Sequence, residues 1–222
     1  MKQNILCLHG YSMNGHWLKD WLAPLENTLG PGYTFHYPDA PHTPPIEEIH
    51  KVWRMLGANI PKHRLGDGLN HCWFRASHEQ PPRYDGVEVS LDLLKKLSED
   101  ISGFDGIIGW SQGAILASIA LSQQTLKPSW AMLGGGALAR DPTYAQALTG
   151  HKLTLPSVHL LGNLEPAKAK QSAKRLAACF VNPTVIENQI DHQLPLGIPG
   201  QTQLISDWIR QHSERNQYHA DK

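Results

Sequence analysis

A serine between two glycines, set directly between an apolar strand and an apolar helix, constrains this 222-residue chain more than any other feature. The pentapeptide is Gly109-Trp110-Ser111-Gln112-Gly113, which follows a strand predicted over 105–110 and opens a helix predicted over 112–123. A turn with almost no loop strains its central residue, and flanking glycines remove side chains that would collide there. We therefore expect Ser111 to lie at the end of a buried strand, beside the positive end of a helix dipole.

Elsewhere, strand-like and helix-like segments alternate along the chain. Apolar runs predict further strands over 4–9, 33–37, 129–133, 157–161 and 184–187. Helical periodicity predicts helices over 17–29, 167–180 and 200–212, and Ser90 is a plausible N-cap for a helix that buries Leu91, Leu94, Leu97 and Ile101. This alternation indicates an α/β fold, with a mainly parallel twisted sheet flanked by helices. We expect a single domain over 1–222, in which the polar tail 213–222 frays.

Residues 41–82 lack clear periodicity and contain several prolines, histidines and tryptophans. We refer to them as the covering segment, because a long irregular excursion over a core often covers a functional site. Trp73 and Phe74 within it, together with Trp110, are candidate substrate-binding residues if it does so. The alternative for these aromatic side chains, and for Trp53, is a place in the core.

Composition excludes several functional classes. Lysine and arginine number 20, as do aspartate and glutamate, so no basic excess favours nucleic acid. The apolar stretch 113–121 is much shorter than the roughly 20 residues that span a bilayer, which predicts no membrane insertion. Cys7, Cys72 and Cys179 are odd in number and widely spaced, which favours a reducing, cytoplasmic setting. The sequence leaves the oligomeric state open.

A serine on such a turn is the nucleophile elbow of the α/β-hydrolase fold. Acyl transfer by this serine requires two backbone N–H groups that bind the developing oxyanion. Gln112 would supply one, and Tyr11, which follows the first strand in His9-Gly10-Tyr11, would supply the other. We expect His9 itself to be a buried structural residue.

The general base should come late in the chain, because this fold places nucleophile, acid and histidine in that order. His192 follows the last predicted strand and precedes the closing helix, which makes it the favoured candidate. His159 lies within a predicted strand, His151 precedes that strand, and His212 lies on a helix face.

The acid that orients the histidine should follow the predicted strand 157–161. Glu165 is the carboxylate in that loop, and glutamate can serve this role in the fold. Glu187 and Asp191 are alternatives, although Asp191 is adjacent to His192 and would have difficulty folding back onto Nδ1.

From about Ile5 to Trp208 the chain resembles the FSH family of small serine hydrolases. The matching segments are Leu8-His9-Gly10-Tyr11, Tyr84-Asp85-Gly86-Val87-Glu88-Val89-Ser90-Leu91, the run from Gly103 to Gly113, Pro156-Ser157-Val158-His159-Leu160-Leu161-Gly162 and His192-Gln193-Leu194-Pro195. The resemblance implies a Ser–Asp–His triad and hydrolysis of carboxylic esters or thioesters. Two departures stand out: Glu165 occupies the place of the family's aspartate, and Ile190-Asp191 replaces its paired glycines.

The sequence thus predicts a serine esterase or thioesterase that acts on a small-molecule substrate without a cofactor. None of the 13 histidines forms a His-Glu-x-x-His pattern, and no paired Cys-x-x-Cys spacing occurs, so no metal site is predicted. Two alternatives stay open: a binding or scaffolding protein that lost catalysis on the same fold, and an acyltransferase that uses the same acyl-enzyme.

Overall fold

A six-stranded parallel sheet forms the centre of the molecule, as the alternating pattern predicts. The computed structural model describes residues 2–55, 62–66 and 68–220, and for 214–220 the backbone alone. The sheet consists of β1 (Gln3–Leu8), β2 (Tyr33–His36), β5 (Gly106–Trp110), β6 (Trp130–Gly134), β7 (Ser157–Gly162) and β8 (Thr184–Asn188), in the order β2-β1-β5-β6-β7-β8. A short antiparallel pair, β3 (Arg75–Ala76) and β4 (Tyr84–Asp85), lies apart from it.

Helices cover both faces of the sheet. They are α1 (Gly15–Leu29), α2 (Ile46–Met55), α3 (Val87–Asp100), α4 (Gln112–Ser122), α5 (Pro142–Gly150), α6 (Ala167–Ala177) and α7 (Gln201–Ala220). Among the described residues no helix is both long and apolar enough to span a membrane.

The alternation of side chains along β1 separates two hydrophobic cores. Ile5 and Cys7 belong to the core that includes the buried residues of α1 and α7. Leu6 and Leu8 belong to the core formed with α3, α4, α5 and α6. Because successive strand residues point to opposite faces, each helix layer buries one half of the strand pattern.

The strand order creates a crevice at the carboxyl ends of β1 and β5. β1 pairs with β2 on one side and with β5 on the other, so the chain connections diverge between β1 and β5. In open α/β sheets this switch point is where ligands bind. The loop that contains Tyr11 and the turn that contains Ser111 both leave the sheet at this point.

Helices α3, α5 and α7 differ from the sequence expectations. Helix α3 begins at Val87 after a left-handed Gly86, so Ser90 is not its N-cap; the buried Ser90 hydroxyl donates to the Trp73 carbonyl instead. Helix α5 was not predicted, because Tyr144 and Leu148 are the buried residues in it and give little periodicity. Helix α7 continues beyond the expected end at His212 to Ala220.

The covering segment is not irregular throughout, since its residues 46–55 form α2. The helix has a sequence signal in Ile46, Ile49 and Trp53, which recur at helical spacing directly after Pro45. Ile49 is buried against the core of α1 and α7, and this contact places α2 beside the crevice.

Candidate active site

Ser111 occupies a strained turn between β5 and α4. Its backbone lies at φ 52° and ψ −114°, a conformation that residues other than glycine rarely adopt. The flanking glycines permit this turn, because a Cβ on Gly109 would lie 2.6 Å from the Ala114 Cα, and one on Gly113 would lie 2.1 Å from the Leu8 carbonyl oxygen. The motif therefore forms the sharp strand-to-helix turn that the sequence predicts.

His192 lies against Ser111, 81 residues away in the chain. Its Nε2 is 2.9 Å from the Ser111 Oγ, a normal hydrogen-bond distance. The imidazole ring packs on Trp110, with ring centroids 4.9 Å apart. Gly135 leaves room for both rings, because a Cβ there would lie 2.9 Å from the His192 Cε1 and from the Trp110 ring.

Glu165 lies behind His192, on the side away from Ser111. Its side chain is buried, and its Oε1 is 3.4 Å from the His192 Nδ1. This is an ion-pair distance without hydrogen-bond alignment, and Nδ1 is buried with no hydrogen-bond partner. The histidine thus meets the serine at one nitrogen and a buried carboxylate at the other.

Backbone contacts between two loops keep these side chains together. The loop after β7 that carries Glu165 meets the loop after β8 that carries His192, and the Leu164 N–H donates to the Ile190 carbonyl at 3.0 Å. A Cβ on Gly162 would lie 2.4 Å from the Asp191 carbonyl oxygen. Ile190 and Asp191 therefore contact the acid loop through their backbone, which any residue type can provide.

The competing histidines lie elsewhere. His159 is buried within β7 beside the Ser157 hydroxyl, where desolvation lowers its pKa to about 4. His151 is exposed at the end of α5, and His212 contacts the Trp208 carbonyl on α7. These placements leave His192 as the histidine at Ser111.

The competing carboxylates form no hydrogen bond or ion pair with His192 within the described residues. Glu187 forms an exposed ion pair with Lys174 at 2.8 Å. Asp191 is exposed, and its carboxylate forms no hydrogen bond or ion pair with a described residue. Glu165 is thus the carboxylate that the structure brings to the His192 ring.

The backbone N–H groups of Tyr11 and Gln112 have no acceptor within the described residues. Gly10 approaches the serine closely, since a Cβ there would lie 3.3 Å from the Ser111 Cβ. His9 is fully buried: its Nε2 accepts from the Ala40 N–H at 3.0 Å, so Nδ1 donates to the Gly10 carbonyl at 2.8 Å. Burial lowers its pKa to about 4, which keeps the ring neutral and structural, as expected.

A cavity of about 140 Å³ opens beside Ser111. Its lining is mainly aromatic and apolar, with the serine and the histidine loop at one side: Gly10, Tyr11, Met13, Trp21, Val52, Trp53, Trp110, Ser111, Asp191, His192 and Gln193. Of the three candidate substrate-binding residues, Trp110 is in this wall.

Trp73 and Phe74 do not line the cavity, which corrects their sequence-based placement. Both are buried in the core, where Phe74 stacks on Tyr84 with centroids 4.1 Å apart. The Gln112 side chain accounts for this placement: its Oε1 accepts from the Trp73 N–H at 2.8 Å, and its Nε2 donates to the Phe74 carbonyl at 2.7 Å. This strand-like stretch of the covering segment is therefore fixed to the start of α4.

Helix α2 supplies Val52 and Trp53 to the cavity wall instead. Trp53 lines the cavity and donates its indole N–H to the Ser12 hydroxyl at 2.7 Å. Glu48 accepts from the Tyr11 hydroxyl at 3.3 Å and pairs with Arg75 at 2.6 Å. The covering segment thus does cover the site, as expected, but through a helix and not through Trp73 and Phe74.

No three histidine, cysteine, aspartate or glutamate side chains within residues 2–55, 62–66 and 68–213 form a group that could hold a metal ion.

Replacement of Gln112 by leucine tests how the covering segment is fixed. The substitution leaves the buried Trp73 N–H and Phe74 carbonyl unpaired, and we expect it to lower the free energy of unfolding by about 2–4 kcal/mol in urea denaturation. The matched control is Gln146→Leu, at an exposed position on α5, which should change stability by less than about 0.5 kcal/mol. Equal stability of the two variants would contradict the role of the Gln112 hydrogen bonds in fixing the covering segment.

The chain is similar in sequence to curated esterases and in fold to a solved carboxylesterase. Human esterase OVCA2 is 28% identical over 223 residues, which cover 95% of this chain and 96% of the relative. The OVCA2 esterase of Danio rerio is 27% identical over 207 residues, which cover 86% of this chain and 89% of the relative. The solved carboxylesterase from Mesorhizobium loti superposes with a TM-score of 0.60 at 14% identity, covering 95% of this chain and 89% of that one, and shows the same α/β-hydrolase fold.

The family comparison matches nearly the full length. Residues 1–203 match the family described as serine hydrolase (FSH1). The matched range includes Ser111, Glu165 and His192. The chain belongs to the serine hydrolase (FSH1) family.

Proposed function

We propose that this protein hydrolyses carboxylic esters or thioesters of small molecules through an acyl-enzyme on Ser111. The observation that carries the proposal is the 2.9 Å contact between the Ser111 Oγ and the His192 Nε2 on a strained turn beside a cavity. A hydroxyl at this distance donates to the imidazole, which can therefore take its proton as the oxygen attacks an acyl carbon.

Glu165 would fix the tautomer and orientation of His192. Because Nε2 accepts from the serine hydroxyl, the proton of the neutral ring is on Nδ1, which faces the Glu165 Oε1 at 3.4 Å. The buried carboxylate would stabilise the imidazolium that forms when the serine proton is transferred. The glutamate side chain is one methylene longer than aspartate, and here it fills the acid position.

The free N–H groups of Tyr11 and Gln112 would bind the oxyanion. Negative charge develops on the former carbonyl oxygen in the tetrahedral intermediate, and preorganised backbone donors stabilise it. The amino end of α4 adds its positive dipole at the same place. His192 then returns its proton to the leaving oxygen or sulfur. In the second half of the reaction, His192 takes a proton from water, the water oxygen attacks the acyl-enzyme, and the carboxylic acid product leaves as Ser111 regains its proton.

Cys7, Cys72 and Cys179 are buried and form no disulfide. We expect such a protein in a reducing, cytoplasmic setting.

Turnover of a short p-nitrophenyl ester tests the nucleophile. We expect the wild-type protein to release p-nitrophenol, and Ser111→Ala to lower kcat by at least about 10³-fold, because the acyl-enzyme can no longer form. Ser118→Ala, in the same helix at a buried hydroxyl that bonds the Ile115 carbonyl, is the matched control and should retain turnover. An inactive wild-type protein would support the binding or scaffolding alternative, and a transferase would require an added acyl acceptor for turnover.

The acid is tested by comparison of Glu165→Gln with Glu187→Gln. Removal of the charge behind His192 should lower kcat by at least about tenfold, with little change in KM, because only the imidazolium formed during the reaction is affected. Glu187 bonds Lys174 on the surface, so its replacement should leave kcat within about twofold. The assignment of Glu165 is wrong if both variants keep full rate.

A further inference from the structure

The cavity beside Ser111 has an unusual charge pattern. Among the described residues that line it there is one carboxylate, that of Asp191, and neither lysine nor arginine. The rest of the wall includes the aromatic side chains of Trp21, Trp53, Trp110 and Tyr11. Asp191 is exposed, and its carboxylate has no partner among the described residues.

Two arginines of the covering segment, Arg75 and Arg64, are engaged with other groups. Arg75 pairs with Glu48 at 2.6 Å, with the Tyr11 hydroxyl on the other carboxylate oxygen. Arg64 lies 4.6 Å from the centre of the Trp17 ring and 3.5 Å from Asp20. Neither arginine pairs with Asp191, and no other cation among the described residues forms an ion pair with it.

Asp191 lies beside the base that would protonate the leaving group. Asp191 and Gln193 flank His192 in sequence, and all three line the cavity. The leaving oxygen or sulfur must approach the His192 Nε2 to receive its proton. The substituent on that atom therefore extends along the part of the wall that carries Asp191.

We infer that this cavity selects esters and thioesters whose leaving alcohol or thiol carries a cationic amine. The inference rests on the proposed function of Ser111. Aromatic rings attract cations through the negative potential of their faces, tryptophan most strongly, and the Asp191 carboxylate adds a direct charge interaction. A neutral leaving group of the same shape gains apolar contact alone, and an anionic one is repelled.

The reaction itself is unchanged by this selection. The acyl–oxygen or acyl–sulfur bond breaks, the acyl group passes to the Ser111 Oγ, and the leaving atom takes the proton from His192. Water then cleaves the acyl-enzyme and restores the serine. The cation contributes to binding and takes no part in bond making.

Two thioesters of equal shape test the selection. Acetylthiocholine and S-(3,3-dimethylbutyl) thioacetate differ by a quaternary nitrogen in place of a carbon, and thiol release reports both reactions. We expect the wild-type kcat/KM, divided for each thioester by its rate constant of hydroxide-catalysed hydrolysis to remove the difference in leaving-group reactivity, to be about tenfold higher for the cationic thioester, the range of a partly desolvated cation–aromatic contact supplemented by a carboxylate. In Asp191→Asn the ratio of the two values should fall at least threefold.

The ratio does not depend on the amount of active enzyme, so partial loss of folding cannot produce the expected change. Asp92→Asn, at an exposed aspartate on α3, removes an equal charge away from the cavity wall and should leave the ratio unaltered. A ratio that falls equally in both variants would reflect overall charge and contradict a role of the cavity.

The outcomes also separate this inference from the proposed function. Equal or faster hydrolysis of the neutral thioester by wild-type protein, or an unchanged ratio in Asp191→Asn, overturns the selection and leaves the Ser111 chemistry intact. Hydrolysis of p-nitrophenyl acetate without hydrolysis of either thioester also counts against the selection. Absence of Ser111-dependent turnover on every ester tested defeats the proposed function itself.

Discussion

The site depends on the close packing of α4 against the end of β1. Gly113 lies so near the Leu8 carbonyl that a Cβ there would be 2.1 Å from its oxygen. This approach brings the turn that carries Ser111 and Gln112 next to the loop after β1 that carries Tyr11. Overpacking of backbone against backbone cannot be relieved by rotation of a side chain, so glycine is required at this position.

A second set of close contacts positions the histidine. Gly162 contacts the backbone of the His192 loop, and Gly135 makes space for the rings of His192 and Trp110. Gly135 directly follows β6, and Gly162 is the last residue of β7. The two strands are fixed by their pairing with each other in the sheet. The histidine is thus held by neighbouring strand ends, although Nδ1 has no aligned hydrogen bond with Glu165.

Much of the site could be predicted because this fold imposes an order on the chain. The strand, serine and helix around Ser111 are local in sequence, and His192 and Glu165 follow from the positions of later strand ends. The structure brings these three residues together, including the glutamate that departs from the family's aspartate.

The remaining errors concern contacts between distant segments. The positions of Trp73 and Phe74 depend on two hydrogen bonds from Gln112, about 38 residues away, which no periodicity reveals. The start of α3 depends on the left-handed Gly86. Ser90, one turn later, donates its hydroxyl to the Trp73 carbonyl and does not cap the helix. Helix α2 had the helical spacing of Ile46, Ile49 and Trp53, but the prolines and histidines around it obscured this signal.

The central claim is that Ser111 is an activated nucleophile, and covalent labelling measures this most directly. The protein would be incubated with a fluorophosphonate probe, and the modified residue located by peptide mass spectrometry. The account predicts a single phosphonylation on Ser111 in the wild-type protein and none in Ser111→Ala. An unlabelled wild-type protein, or labelling that persists in Ser111→Ala, would contradict it.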